Sequence, residues 1–293
     1  MTSRPTADVT AIVTAYKRTE EALNTLRILE ACDPAPAEIL VHVDGGEHDC
    51  AERIRSAFPN AGVIVSDERV GPGGGRNKLI AAARHPIVAS FDDDSYPLDR
   101  DFFARLEQLF LEFPDASIVD AYVYQLYQPV EPDADRSEWV ADFSGGGCAY
   151  RRARFLETGG YVPLTAAYGM EEVDVGLRLH ARGGRVLRSR RLRVFHNTDL
   201  ARHADPIVTA ASIANIALLA YLRYPRWLWG VAAGQCLKRI AWLVRHRRLR
   251  GVVTGLRSIP ATIGRHRRQR NPVSTQALRS YWALRRHPTP VSR

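Results

Sequence analysis

The run IVASFDDDSYP, residues 87–97, decides the fold. Its first five residues, apolar but for one serine, read as a buried strand, and three adjacent carboxylates, Asp92, Asp93 and Asp94, stand at its carboxyl end. Three such charges repel one another strongly unless something positive lies among them. A hard, oxygen-seeking ion such as Mg²⁺ or Mn²⁺, bridged to a diphosphate, would supply that charge. Alternation along an extended segment would turn Asp92 and Asp94 the same way. The plainer alternative is an acidic turn leading into the next helix.

On either side of this strand, short β-rich runs alternate with helix-like ones. Residues 9–15 (VTAIVTA), 38–43 (EILVHV) and 63–65 read as strands; 20–31, 49–58, 76–84 and 101–113 read as helices, the first with Thr19 as its N-cap. Mostly apolar strands separated by helices predict an α/β fold with a mostly parallel, doubly covered sheet. In such sheets ligands lie at the carboxyl ends of the strands, so the residues after each strand are the candidates for chemistry. After the first come Thr14, Ala15, Tyr16, Lys17 and Arg18; after the second comes Asp44, followed by Gly45 and Gly46. Tyr16 offers an aromatic face to a base and Asp44 a carboxylate to a base or ribose, although a strand-end tyrosine and an Asp-Gly turn are also ordinary structural features. The run GPGGGRN, residues 71–77, reads as a glycine loop opening a helix, whose amides and Arg76 could cradle a phosphate; a flexible turn is the alternative. It is no P-loop, because no GK[ST] follows.

Further along, the polar stretch 124–140 reads as a lid or binding segment, and Gly145, Gly146 and Gly147 allow close backbone approach. Residues 151–158 read as a helix ended by Gly159 and Gly160. The run MEEVDVGLRL from Met170 is an acidic helix start, with Asp174 and Arg178 at i,i+4 spacing. One of its carboxylates could instead face a cleft as a general base. Two extended pieces, 185–189 and 192–195, precede His196, an imidazole at a strand end that could complete an Asp/Asp/His metal set.

The composition sets bounds on these readings. With 293 residues, 45% hydrophobic, the chain can build a large core, which excludes whole-chain disorder and a disulfide-stapled miniprotein. Four widely separated cysteines form no CxxC pair, which suits a reducing, intracellular setting, and MTSRPTADVT lacks the apolar region of a secretory signal. The net charge of +9 hides an asymmetry. Residues 206–293 hold 17 of the 41 Lys and Arg and none of the 32 Asp and Glu, leaving 1–205 with an excess of acid. A cationic stretch without acids is drawn to phosphate-bearing surfaces.

In order and spacing, VTAIVTAYKR, VHVDGG, VGPGGGRNKLIAAA, SFDDDSYP, SGGGCAYRRARFLETGGY and MEEVDVGLRLHARGGRVL together resemble the family 2 glycosyltransferases, inverting enzymes with a GT-A fold. The resemblance covers residues 9–196 and implies a catalytic domain over 1–205; the charge and composition of 206–293 predict a basic, helical, membrane-associating region after it. The resemblance also implies that Thr14, Ala15, Tyr16, Arg18 and Asp44 hold the nucleotide part of a UDP, GDP or dTDP sugar, with Arg76 near the diphosphate. Asp92 and Asp93 would line the same site, and Asp94, Asp92 and His196 would hold Mn²⁺ or Mg²⁺, Asp94 foremost. Rhamnosyl- and galactofuranosyltransferase-like members carry an acidic pair followed by x-Asp, here Glu171-Glu172-Val173-Asp174. The second of the pair is the usual base, which points to Glu172, with Glu171 next because many relatives have Asp at that position. The acceptor would be a glycan or a lipid-linked saccharide.

The uncharged run 206–222 is shorter than the ~20 apolar residues that span a bilayer. Lying on the membrane, or packing on the catalytic domain, fits it better than crossing. Trp227 and Trp229 and the runs RHRRLR (245–250) and RHRRQR (265–270) suit an anionic cytoplasmic leaflet, so the chain is expected in the cytoplasm, peripheral on the inner face of the membrane. Two rivals remain. A sugar nucleotidyltransferase would carry a glycine-rich loop after the first strand, where TAYKRTEE stands. A nucleic-acid-binding protein would exploit the basic tail, but the tail has no helix-turn-helix or RNA-binding signature, and the acidic body would repel phosphate.

Overall fold

The computed structural model describes residues 5–166, 169–198 and 205–291. The chain runs β1 (Thr6–Ala15), α1 (Thr19–Ala31), β2 (Ala35–Val43), α2 (His48–Ala57), β3 (Gly62–Val65), α3 (Gly71–Ala82), β4 (Ile87–Asp92), β5 (Ser95–Pro97) and α4 (Phe102–Glu112). It continues through β6 (Ala116–Gln125), β7 (Ser137–Val140), β8 (Gly147–Arg151), α5 (Arg152–Glu157), α6 (Glu171–His180) and β9 (Arg185–His196). After these come α7 (Pro206–Arg223), α8 (Trp229–Arg245), α9 (Val252–His266), α10 (Thr275–Arg286) and the short β10 (Thr289–Pro290).

One sheet joins the strands in the order β10-β7-β9-β6-β8-β4-β1-β2-β3, with β5 attached to β9. Strands β3, β2, β1 and β4 are mutually parallel, as the alternating apolar runs predict, and β6 and β9 are parallel to each other. Strand β8 enters antiparallel between β4 and β6. The sheet is covered on both faces: Val13, Val41, Phe91 and Val194 pack with α1 and α4 residues such as Leu26, Phe103 and Leu106, while Ile12, Val88 and Tyr150 pack with Leu79 and Ile80 of α3 and Val175 and Leu179 of α6. Each such fully buried aliphatic or aromatic side chain contributes about 1.5–3 kcal/mol.

Four departures from the sequence reading have physical causes. The glycines at 71–75 are not a loop but the first turns of α3, which begins five residues before the predicted start. They are required by space: a Cβ on Gly73 would lie 2.6 Å from Glu171 Oε1, and one on Gly75 2.4 Å from His42 Nδ1. Gly71 has φ +76°, and a side chain there would meet the Leu164 carbonyl at 1.9 Å. Thr19 is the first residue of α1 rather than its cap; Arg18 precedes the helix and makes no side-chain capping bond. The extended pieces 185–189 and 192–195 form one strand, and the predicted break coincides with a register shift, where Ser189 pairs with Ala121 and Arg193 with Tyr122. Strands β5 to β8 have no counterpart among the predicted elements, since two have four residues or fewer, β8 begins with a glycine, and β6 carries the buried Asp120.

Beyond residue 205 the helices share a core with the rest. Leu218, Leu219 and Leu222 of α7 and Leu278 and Tyr281 of α10 pack with Leu177 of α6 and with Met170 just before it. Helix α7 is long and apolar enough to cross a bilayer by composition, yet 61% of its apolar window is buried in the fold. At its carboxyl end Arg223, 4% exposed, binds both oxygens of the fully buried Asp174, whose Oδ2 also accepts from Arg178, the partner anticipated at i,i+4. At its other end Gly251 lies so close that a Cβ would meet the Pro206 carbonyl at 2.2 Å.

Candidate active site

A cleft of about 660 Å³ opens at the carboxyl ends of β1, β2 and β4, and its lining includes every residue singled out from the sequence: Thr14, Ala15, Tyr16, Arg18, Asp44, Arg76, Asp92, Asp93, Asp94, Glu171, Glu172 and His196. The strand ends supply one wall and the start of α6 the other.

The triple aspartate is resolved into three environments. Asp92 ends β4, while Asp93 and Asp94 form the turn into β5, so strict alternation does not apply. Asp92 accepts from the Arg76 guanidinium and from Thr14 Oγ1 at 3.3 Å. Asp93 accepts from the Tyr16 amide at 3.1 Å and from Arg18 at 3.2 Å. Burial, with the adjacent Asp94 charge, pushes its carboxyl up to about 7. Asp94 is bound by Arg18 through Oδ2 and by His196 Nε2 through Oδ1 at 3.0 Å. Burial works against the Asp94 charge, but the His196 hydrogen bond and the neighbouring cations hold its carboxyl below the ordinary value. The strand pairing that brings Ser95 opposite His196 is what delivers the imidazole to the turn.

Asp94 and His196 offer a carboxylate and an imidazole, both of which can ligate a divalent ion; here they are hydrogen-bonded to each other at 3.0 Å and Arg18 holds the other Asp94 oxygen, contacts that an ion would replace. Asp92 does not join them: its carboxylate is turned to Arg76, and among the described residues no three His, Cys, Asp or Glu side chains converge as a metal site. An ion held by one carboxylate and one imidazole keeps positions for water and substrate phosphate, although the imidazole nitrogen is a softer donor than the all-oxygen set Mg²⁺ prefers.

Arg76 and Asp44 differ from the sequence expectation. Arg76 is 2% exposed and bound to the half-buried Asp92 and to Ser90 Oγ, so it reaches the cleft as half of an ion pair rather than as a free fork. Asp44 accepts from the amides of Val70 and Gly71, both at 2.9 Å, and so satisfies the amino end of α3, where an exogenous phosphate was expected. Two further cations flank the Tyr16 ring. Arg69 stacks on the Tyr16 ring at 4.4 Å, and Lys17 stands 5.3 Å from it. Arg69, His42 and Thr198 line the cleft without having been singled out, and Lys17, named only as one of the residues after β1, lines it too. Arg69 follows β3, so the strand-end rule applied to the third strand would have found it. None of the residues from 124 to 140 lines this cleft.

The two glutamates are distinguished by burial. Glu171 is 2% exposed and wedged against Gly73, and its Oε1 has no hydrogen-bond partner among the described residues; burial and the charge of Glu172 push its carboxyl well above the ordinary range, against Arg76 and the Gly73 amide. Glu172 is half-buried and faces the cleft, close to Gly145 and the Arg76 guanidinium. Burial raises its carboxyl, and Arg76 and the Gly145 amide oppose that rise. A Cβ on Gly145 would meet Glu172 Oε1 at 2.7 Å, and one on Gly146 would meet Asp92 Oδ2 at 2.3 Å, which accounts for the glycine run. Asp174 is committed to its two arginines and takes no part in the cleft.

A parallel nucleotide-type sheet with an acidic turn at β4 and an acidic helix across the cleft defines a GT-A glycosyltransferase. The chain belongs to glycosyl transferase family 2, whose family model matches residues 10–163. It is 26% identical over 216 residues to the glucosyl-dolichyl phosphate glucuronosyltransferase of Haloferax volcanii, covering 64% of this chain and 68% of that protein. Among solved structures it is similar to GalNAc-T7 with UDP, GalNAc and Mn²⁺ (TM-score 0.59, 14% identity, 77% of this chain and 49% of that one). It is also similar to the mannosyltransferase PcManGT of Pyrobaculum calidifontis with GDP-Man and Mn²⁺ (TM-score 0.56, 13% identity, 95% and 79%). A third likeness is to residues 1–349 of S. aureus TarS with UDP-GlcNAc (TM-score 0.56, 16% identity, 72% and 65%). The chain thus spans about half of the first of these structures and just under two thirds of the last.

Proposed function

We propose that the chain moves a sugar from a UDP, GDP or dTDP donor to an acceptor hydroxyl, with inversion and with the help of Mn²⁺ or Mg²⁺, in the making of a cell-surface glycan or lipid-linked saccharide. The observation that carries the reading is the single cleft in which the β1, β2 and β4 ends face a half-buried Glu172 across the mouth of α6. Solved relatives with UDP or GDP-Man and Mn²⁺ support the donor class and the metal, and the name of the haloarchaeal relative supports a lipid-linked acceptor. The acidic run at 171–174 supports a rhamnosyl- or galactofuranosyltransferase-like subtype.

Tyr16 and Thr14 border the nucleoside end, and Lys17, Arg18 and Arg69 provide positive charge for the diphosphate. Asp94 and His196 would hold the divalent ion, which when bound neutralises charge on the departing diphosphate. Glu172 takes the acceptor's hydroxyl proton as that oxygen attacks the anomeric carbon. The bond from that carbon to the diphosphate oxygen breaks, and its electron pair leaves with the nucleoside diphosphate. Arg76 opposes the rise that burial imposes on the Glu172 carboxyl and is a positioning residue.

Calorimetry with UDP, GDP, dTDP and CDP, in Mn²⁺ and in EDTA, tests this. One nucleotide binds in a manner that needs both the ion and Asp94, so Asp94→Ala abolishes the metal-dependent part. Glu172→Gln keeps that binding and loses turnover by about 10²–10⁴-fold. Near-normal turnover in Glu172→Gln would remove it as the base, and binding of no nucleotide under any condition would sink the transferase reading.

A further inference from the structure

The structure divides the region after residue 205 into a buried part and an exposed one. Of the fourteen exposed large apolar side chains among the described residues, ten lie between Ile207 and Leu256. Helix α7 supplies only Ile207; the others belong to the turn before α8, to α8 itself, and to the corner where α8 meets α9. Trp227 is 76% exposed and Leu237 67%.

Helix α8 packs through a stripe formed by Ala232, Cys236, Arg239 and Leu243, at helical spacing. Its opposite face carries Val231, Leu237 and Val244 beside Lys238 and Arg245, all exposed. Seventeen residues make that face about 25 Å long. At its far end Trp242 is overlaid by Arg239 at 4.7 Å and Arg248 at 5.3 Å, and Leu249 and Val253 continue the apolar surface around the corner among Arg247 and Arg250. Gly251 pins this corner to the start of α7, beside Ile207.

We infer that α8 and the α8–α9 corner form a docking surface for an anionic lipid bilayer, with α8 lying in the plane of the interface. Apolar side chains, tryptophans and arginines are interleaved along one surface without a single Asp or Glu from 206 onward. A bilayer interface meets both chemistries at once, taking tryptophan at the headgroup level, aliphatic side chains beneath it and arginine on phosphate. Helix α7, which its composition alone would nominate for the membrane, is the support behind this surface.

The test uses the full chain and does not depend on sugar transfer. Flotation with vesicles of phosphatidylcholine is compared with flotation with phosphatidylcholine containing phosphatidylglycerol, at low and high salt. The protein floats with the anionic vesicles, less so at high salt, and bilayer-buried bromolipid quenches its tryptophan fluorescence. Replacing Arg245, Arg247 and Arg250 by glutamine weakens binding about five-fold for each arginine, about 100-fold together. The pair Leu237→Glu and Trp227→Ser reduces the quenching, with Trp229 and Trp242 still on the surface. All five positions are exposed, so thermal melts and nucleotide binding in these variants match the parent, which separates a fault in this inference from a fault in the transferase reading. Equal affinity for neutral and anionic vesicles, binding to nucleic acid but not to vesicles, or a surface consumed by self-association in sedimentation would each overturn it.

Discussion

Replacing Arg223 by methionine is the most direct probe of how the C-terminal helices support the catalytic helix. The guanidinium gives Asp174 two hydrogen bonds and donates a third to the Gln269 carbonyl at 2.9 Å. Removing one partner of a buried pair ordinarily costs about 3–5 kcal/mol. Arg178 remains on Asp174 Oδ2, so the carboxylate is not stranded, and the lower end applies: about 3 kcal/mol, or roughly a 150-fold fall in the folded-to-unfolded ratio. For a chain of 293 residues that corresponds to a drop in Tm of about 5 °C. Urea unfolding followed by circular dichroism measures the free energy, and the Arg178→Met and double variants complete a cycle. Because the double variant leaves Asp174 buried without a cation, its cost exceeds the sum of the single ones. Transfer activity falls too, since α6 carries Glu172 two residues from Asp174. A loss below about 1 kcal/mol in Arg223→Met would refute the claim that this contact ties the two parts of the chain together.

Other consequences can be measured independently. Gly75→Ala places a methyl group 2.4 Å from the buried His42 ring and should cost about 1–3 kcal/mol in a thermal melt; full stability would mean that α3 can slide away from β2. The pH profile of kcat/KM should rise with pH through a group above the ordinary glutamate value of 4.5, because burial raises Glu172 and the base acts only when ionised. In Arg76→Gln the cation that opposes that rise is gone, so the acid limb moves to still higher pH; movement to lower pH would contradict the assignment.

Most of what decides the fold was legible in local sequence. The parallel half, β1 to β4 with their helices, announces itself through apolar runs and helical spacing, and the strand-end rule then locates Asp44 and Asp92 to Asp94. The residues bordering the cleft were therefore readable, but their partners were not. Arg76 looks like a phosphate ligand in a glycine context, and only the packing of β4 reveals that Asp92 and Ser90 already hold it. The glycines of α3 carry a loop signal because local propensity cannot register that Glu171 and His42 press against their helix. Glu171 and Glu172 are chemically identical in sequence; their different burial is a property of the tertiary fold alone. The same holds for α7, whose apolar composition suits a membrane or a core equally, and which the leucines of α6 and α10 claim for the core.

Helix α7 is fastened at both ends, by Arg223 on Asp174 and by the Gly251 contact at Pro206, and its 18 residues fix a length of about 27 Å. It therefore works as a ruler. The helix bearing Glu172 is held at a set distance from the corner that carries Ile207 and Leu249, and that distance cannot change without breaking one fastening. An acceptor anchored beneath that corner would be selected by its reach: its reactive hydroxyl must extend as far as the ruler holds the cleft, whatever the identity of the sugars in between.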